Sequence, residues 1–209
     1  MPHSDLAVLA DEFALDPLCA WLTDPAAVTA GRTVHACTLA AAARYSPLSP
    51  AAEDDLPEWR VDEEAHTALL SALGDCDTLI TCGSALETAT AVSSDLLRRL
   101  ADGRPEGLWL QLGRIELPMA AHLAERARAA GVAFVHAPYL QPVRGRDRRP
   151  TCVIFADQDD AGLSRARSLL ETLARSVHWM GWLSSSGPAR WVNDLSAASR
   201  APRGPVFAS

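Results

Sequence analysis

The chain has 209 residues, is 48% hydrophobic and carries a formal charge of −7. That acidity argues against a general nucleic-acid or anionic-membrane binder, and no apolar run approaches the ~20 residues of a membrane helix. The opening Met1-Pro2-His3-Ser4-Asp5 lacks the basic and apolar regions of a secretory signal, so a cytoplasmic protein with no nucleic-acid and no membrane partner is expected.

Residues 6–10 read as a first strand. Asp16-Pro17 reads as an N-cap followed by proline at the first helical position, opening a helix through Leu18, Trp21 and Leu22. Residues 33–39 give a second strand. From 43 to 62 the composition turns acidic and proline-rich, with Ser46-Pro47-Leu48-Ser49-Pro50, Glu53-Asp54-Asp55 and Pro57, and a solvated loop is expected. Asp62-Glu63-Glu64 makes an acidic first turn for a helix carrying Ala65, Ala68, Leu69 and Leu73 and ended by Gly74. Residues 77–82 form a buried strand, followed by Gly83 and a helix over 84–100. Residues 108–112 form the next strand. Pro118 and Gly131 bracket a helix with Ala120, Leu123 and Ala127 on one face, and 132–135 is the strand after it.

Arg144-Gly145-Arg146-Asp147-Arg148-Arg149 suits either an anion clamp or a solvated loop, and the loop is the favoured reading. Residues 151–156 are apolar and β-branched enough for a buried strand. Asp157-Gln158-Asp159-Asp160 supplies capping carboxylates. Leu163, Ala166, Leu169, Leu170 and Leu173 recur at helical spacing, and residues 177–181 return to strand. A Ser/Gly loop then leads to Arg190, Trp191, Val192 and Asn193 at the start of a last helix. Strands alternating with helices predict an α/β fold. It is Rossmann-like: a mostly parallel sheet with helices on both faces and a C-terminal helix stub. One domain over 1–195 and a tail over 196–209 are expected.

The chain contains no lysine, so all 19 basic residues are arginine, which excludes a lysine Schiff base, a lysine general base or a P-loop lysine. Cys19, Cys37, Cys76, Cys82 and Cys152 are scattered, with no CxxC, and read as reduced thiols. The histidines form no metal-binding pattern, and no GxSxG occurs, so no metal is expected.

The segment from about 75 to 194 resembles the β-hydroxyacid dehydrogenase family, to which the imine reductases look related. Thr78-Leu79-Ile80-Thr81-Cys82 resembles the strand before the family's cofactor-contacting loop. Gly131 through Pro138 resembles the strand ending in Asp-Ala-Pro, and 151–159 a later strand. Residues 181–194 resemble the signature G-x-x-G-x-G-x-x-x-K-x-x-N-N. The resemblance implies a dinucleotide-binding Rossmann fold, a catalytic position at Arg190 in place of lysine, and a substrate-contacting asparagine at Asn193. Asp194 replaces a second asparagine. The family continues into a helical dimerisation domain, which this chain is expected to lack.

The departures fall on the cofactor. The family's GxGxxG corner aligns with Ala10-Asp11-Glu12-Phe13-Ala14-Leu15, so Ala10, Glu12 and Leu15 hold the glycine positions. A Cβ obstructs the approach to a pyrophosphate, and a carboxylate at Glu12, beside Asp11, repels it. At ~4 Å and an effective dielectric near 20 such a repulsion is about 4 kcal/mol per charge pair, a factor of roughly a thousand in affinity.

Three readings follow. In the leading one the domain has lost nicotinamide chemistry, has no cofactor, and binds or transforms a small biosynthetic molecule by acid/base chemistry. Its catalytic candidates are Arg190, Tyr139, His136, Asp194 and Glu12, near the carboxyl ends of strands where such folds bind ligands. Asn193, Arg114, Trp182 and Trp191 are the substrate-binding candidates. His136, Tyr139 and Arg190 each keep a structural alternative: a satisfied strand-end histidine, a packing aromatic and a surface helix residue. Trp179, Trp182 and Trp191 would line a ligand pocket or cover a homodimer surface. The second reading is an oxidoreductase holding NADPH mainly by arginines. The third is a non-catalytic subunit paired with a larger relative.

Overall fold

A computed structural model describes residues 5–23, 33–44, 63–103, 107–140, 151–156 and 161–181. Strand β1 (Asp5–Ala10) leads into helix α1 (Glu12–Leu22), then β2 (Val34–Thr38), α2 (Leu39–Arg44) and α3 (Glu63–Ala72). Next come β3 (Cys76–Cys82), α4 (Ala85–Ala91), α5 (Ser94–Gly103), β4 (Leu108–Gln111) and α6 (Leu117–Ala129). The remainder is β5 (Ala133–His136), β6 (Tyr139–Leu140), β7 (Thr151–Ala156), α7 (Ala161–Leu173) and β8 (Ser176–Gly181).

These strands make one eight-stranded sheet. Five of them, in the order β2-β1-β3-β4-β5, run parallel. The buried strands are near-continuous apolar runs, as a sheet covered on both faces requires. Alternate residues feed two cores. Ala7, Leu9, Leu79, Trp109, Phe134 and Phe155 face α2 through α6. Leu6, Val8, Ile80, Leu110, Val135 and Ile154 face α1 and α7. Arg165 of α7 fastens the second layer to the foot of β3, its Nη2 donating to the Asp77 carbonyl at 2.9 Å and to Thr78 Oγ1 at 3.2 Å.

The mostly parallel Rossmann-like sheet with helices on both faces is as expected, with four local differences. The first helix starts at Glu12, not after Asp16, because Asp11 caps it; Pro17 lies inside it on the exposed side. The carbonyl that Pro17 deprives of a partner belongs to Phe13, itself 92% exposed, so water can replace the missing donor. Helix α2 follows β2 directly, where extended chain and then loop were expected. The helix expected over 84–100 is two: Ser93 Oγ accepts from Leu96 N at 3.2 Å and caps α5, while Arg126 of α6 donates to the Ala89 carbonyl at 3.0 Å and to the Val92 carbonyl, closing α4. Finally, β7 runs antiparallel to β5, and β8 parallel to β7. Ala137-Pro138 carries the chain from β5 into β6, which pairs with β7. The loop over 45–62, the capping run 157–160 and the C-terminal helix stub lie outside the described residues.

Arg126→Ala strands two carbonyls at the end of α4. It should cost about 1–3 kcal/mol in urea unfolding, and a loss under about 0.5 kcal/mol would show that water replaces the guanidinium freely.

Candidate functional site

Open parallel sheets bind ligands at the carboxyl ends of their strands, where the strand order reverses. Here β2 and β3 lie on either side of β1, so the reversal falls between β1 and β3. The β1–α1 corner is a single residue. Asp11 is extended (φ −64°, ψ 162°), and its Oδ1 accepts from Phe13 N at 3.0 Å and Ala14 N at 2.8 Å. Its own amide donates to the Cys82 carbonyl at 2.9 Å, prolonging the β1–β3 pairing past the last strand residue.

The β3–α4 corner is closed in the same way. Ser84 Oγ accepts from Glu87 N at 3.3 Å, and the Glu87 carboxylate accepts from Ser84 N at 2.9 Å, a reciprocal capping box. The Ser84 hydrogen bonds hold the Glu87 carboxyl below its usual range. Gly83 precedes this box. A Cβ on it would strike Leu39 of α2, and a Cβ on Gly113 would strike the Gly83 backbone. Gly113 has to be glycine because the β4–α6 connection lies directly on the Gly83 backbone, and Gly83 is packed under the Leu39 side chain.

Beneath them runs a buried polar row. Thr81, Gln111 and His136 are direct neighbours across β3, β4 and β5. Trp109 Nε1 donates to Thr81 Oγ1 at 2.7 Å, and Thr81 donates to Gln111 Oε1. Gln111 Nε2 donates to the carbonyls of Gly83 at 3.5 Å and Gly113 at 3.4 Å. His136 Nε2 lies 3.2 Å from the Gly113 carbonyl, an acceptor only, so that nitrogen carries the hydrogen. Nδ1 is then a bare acceptor with no partner among the described residues. The ring stacks on Phe155 at 5.8 Å and is 2% exposed. Burial pushes its pKa down to about 4, the Gly113 contact opposing weakly, so His136 is neutral at physiological pH.

On the other face of the sheet, Tyr139 is half-buried and meets Trp21 of α1 edge-on, centroids 5.9 Å apart. The Cys82 thiol donates to Tyr139 Oη at 3.8 Å. Burial pushes the Cys82 pKa up to about 11, with the Tyr139 hydrogen bond opposing and Asp11 adding to the rise. Burial alone pushes Cys152 up to about 12. Neither thiol is a nucleophile at neutral pH. All five cysteines are free.

The candidates from the sequence are placed as follows. Glu12 is exposed at the first position of α1, and Arg114 is exposed just past β4. His136 ends β5 and Tyr139 opens β6, and they serve opposite faces, His136 the α2–α6 side and Tyr139 the α1 side. Arg190, Asn193, Asp194, Trp182 and Trp191 lie outside the described residues, as does the arginine loop at 144–149. Trp179 is described and is 44% exposed. The sequence reading missed the capping role of Asp11 and the Thr81–Gln111 part of the polar row. Gln111 carried a signal, being the one polar residue in the apolar run 108–112. Among the described residues no group of three or more His, Cys, Asp or Glu could hold a metal, and no helix is long and apolar enough to cross a membrane.

No protein-family model and no curated sequence matches the chain. Solved structures do. The 3-hydroxyisobutyrate dehydrogenase of Mycobacterium tuberculosis, solved with L-serine, is 20% identical with a TM-score of 0.63, over 93% of this chain and 60% of that one. The 3-hydroxyisobutyrate dehydrogenase of Salmonella typhimurium is 14% identical with a TM-score of 0.58, over 92% and 62%. A reductive aminase of Aspergillus terreus, in complex with NADPH and ethyl levulinate, is 15% identical with a TM-score of 0.53, over 93% and 61%. The chain has a β-hydroxyacid dehydrogenase-like fold and spans about 60% of the length of these neighbours.

The buried histidine makes a pH prediction. An unfolded histidine takes up its proton near pH 6.5, and folded His136 only near pH 4. Between those values the unfolded state binds more protons, so stability falls as pH drops through the window, by on the order of 3 kcal/mol at its lower end. Urea unfolding from pH 7.5 to 4 should show this loss in wild type and a shallower one in His136→Gln. Parallel profiles for the two proteins would contradict a neutral buried His136.

Proposed function

We propose that this domain keeps a dehydrogenase-like scaffold but binds or transforms a small molecule at its strand ends without a nicotinamide dinucleotide. One observation carries the reading. In dinucleotide-binding Rossmann folds the pyrophosphate rests on the first amides of the helix after β1. Here the Phe13 and Ala14 amides already donate to the Asp11 carboxylate. An incoming phosphate would have to displace that carboxylate and then sit beside its charge and that of Glu12. The residues present do not fit the cofactor.

The chemistry proposed is therefore acid/base chemistry by the chain's own side chains. Tyr139 is the described group best suited to move a proton, since it is half-buried at a strand end with its hydroxyl on the Cys82 thiol. Glu12 at the start of α1 and Arg114 just past β4 are exposed, and Arg114 suits an anionic substituent. His136 is a positioning residue: neutral and buried, it holds the Gly113 carbonyl and with it the start of the β4–α6 connection. The neighbours solved with L-serine or ethyl levulinate support a ligand of that modest size.

Titration with NADPH and NADH, followed by tryptophan fluorescence, tests the reading. A penalty of about 4 kcal/mol moves a micromolar site to roughly millimolar, so no saturation is expected below about 1 mM. Saturation in the micromolar range would restore an oxidoreductase.

A further inference from the structure

We infer that the nucleotide groove at the β1–β3 reversal is filled from within at both ends, so that the fold excludes adenine nucleotides as a class. At the phosphate end this rests on the reading above; at the ribose end it goes beyond it.

The phosphate end is occupied as well as charged: Asp11 Oδ1 takes both first-turn amides, and the Asp11 amide is itself bound to the Cys82 carbonyl. The ribose end lies at the tip of β2. There a dinucleotide fold presents a carboxylate to the ribose hydroxyls, or an arginine to a 2′-phosphate. In this chain β2 ends at Thr38, paired in register with Ala10, and Leu39 follows. Thr38 Oγ1 is turned to the first turn of α2, accepting from Ala41 N at 3.2 Å. Leu39 is 1% exposed, and its Cδ1 fills the space a side chain on Gly83 would need. Because β2 and β3 flank β1, a leucine that starts at the tip of β2 and packs on Gly83 past the tip of β3 crosses over the end of β1. The groove is thus blocked by a carboxylate at one end and an isobutyl group at the other.

The two blocks differ chemically and can be removed separately. Asp11→Gly frees the amides at little cost, since glycine is a tolerated N-cap, whereas Asp11→Asn keeps the cap and removes only the charge. Leu39→Ala opens the ribose end. If that variant lacks a cooperative unfolding transition, the milder Leu39→Val, which removes the methyl groups facing Gly83, takes its place. Each full-length protein is heated alone and with millimolar inorganic pyrophosphate, AMP or NADPH, and the shift in Tm is read. Wild type should not shift with any of them. Asp11→Gly should gain a saturable rise with pyrophosphate and none with AMP, and Asp11→Asn should gain neither. Only the double variant at Asp11 and Leu39 should respond to AMP.

Asp11→Asn responding as strongly as Asp11→Gly would overturn occupancy in favour of simple repulsion. A folded double variant blind to AMP would overturn the ribose block. Wild type that binds AMP but not NADPH overturns this inference and leaves the proposed function standing. Wild type that binds NADPH overturns both.

Discussion

Two amide hydrogens at the start of α1 can serve either the helix or a ligand, and in this chain they serve the helix. The Asp11 carboxylate caps Phe13 and Ala14, which satisfies donors the helix cannot satisfy itself. An N-cap of this kind is worth about 1 kcal/mol of stability. The same geometry in a dinucleotide-binding relative would be a phosphate seat. Stability of the corner and affinity for a phosphate therefore compete for the same two hydrogens. The extended Asp11 backbone, with its amide bound to the Cys82 carbonyl, is what lets the corner turn within one residue.

The neighbouring strand ends are built for rigidity. Thr81, Gln111 and His136 form a polar row inside an otherwise apolar core, and a buried polar group is tolerated only when it is paired. Each link is paired in turn, from Trp109 to Thr81 to Gln111 to the Gly83 and Gly113 carbonyls. The edge-on Trp109–Phe134 contact at 4.9 Å supports the row from below. What the row holds is backbone: the connections after β3 and β4, which meet so closely that Gly113 has no room for a Cβ beside the Gly83 backbone. His136 contributes a donor to this scaffold, and its Nδ1 has no partner among the described residues.

Much of the fold was legible because its signals are local. Apolar runs of four to seven residues marked every strand but the two-residue β6, and Pro118 with Gly131, the latter at φ 75°, bracketed α6 correctly. The errors came where two local signals compete. Asp16-Pro17 is a good helix start by composition, but Asp11 lies closer to the strand, and the sheet fixes where the helix must begin. Val92-Ser93 breaks a helical pattern only because Ser93 finds Leu96 N and Arg126 reaches back from α6, a contact 34 residues away. The direction of β7 depends on how the chain returns after Pro138, which no periodicity encodes. For the site, the residues at the expected glycine positions, Ala10, Glu12 and Leu15, could be read from the sequence. That Asp11 takes the first-turn amides could not, since a capping carboxylate and a repelling one look alike without coordinates. Gln111 and Leu39 gained their meaning from cross-strand neighbours.

The central claim is that the Phe13 and Ala14 amides are already taken by Asp11. Amide NMR of the full chain during addition of NADPH addresses it at those two atoms. The account predicts that both resonances keep their shifts throughout. A saturable movement of both, in step with nucleotide concentration, would contradict it.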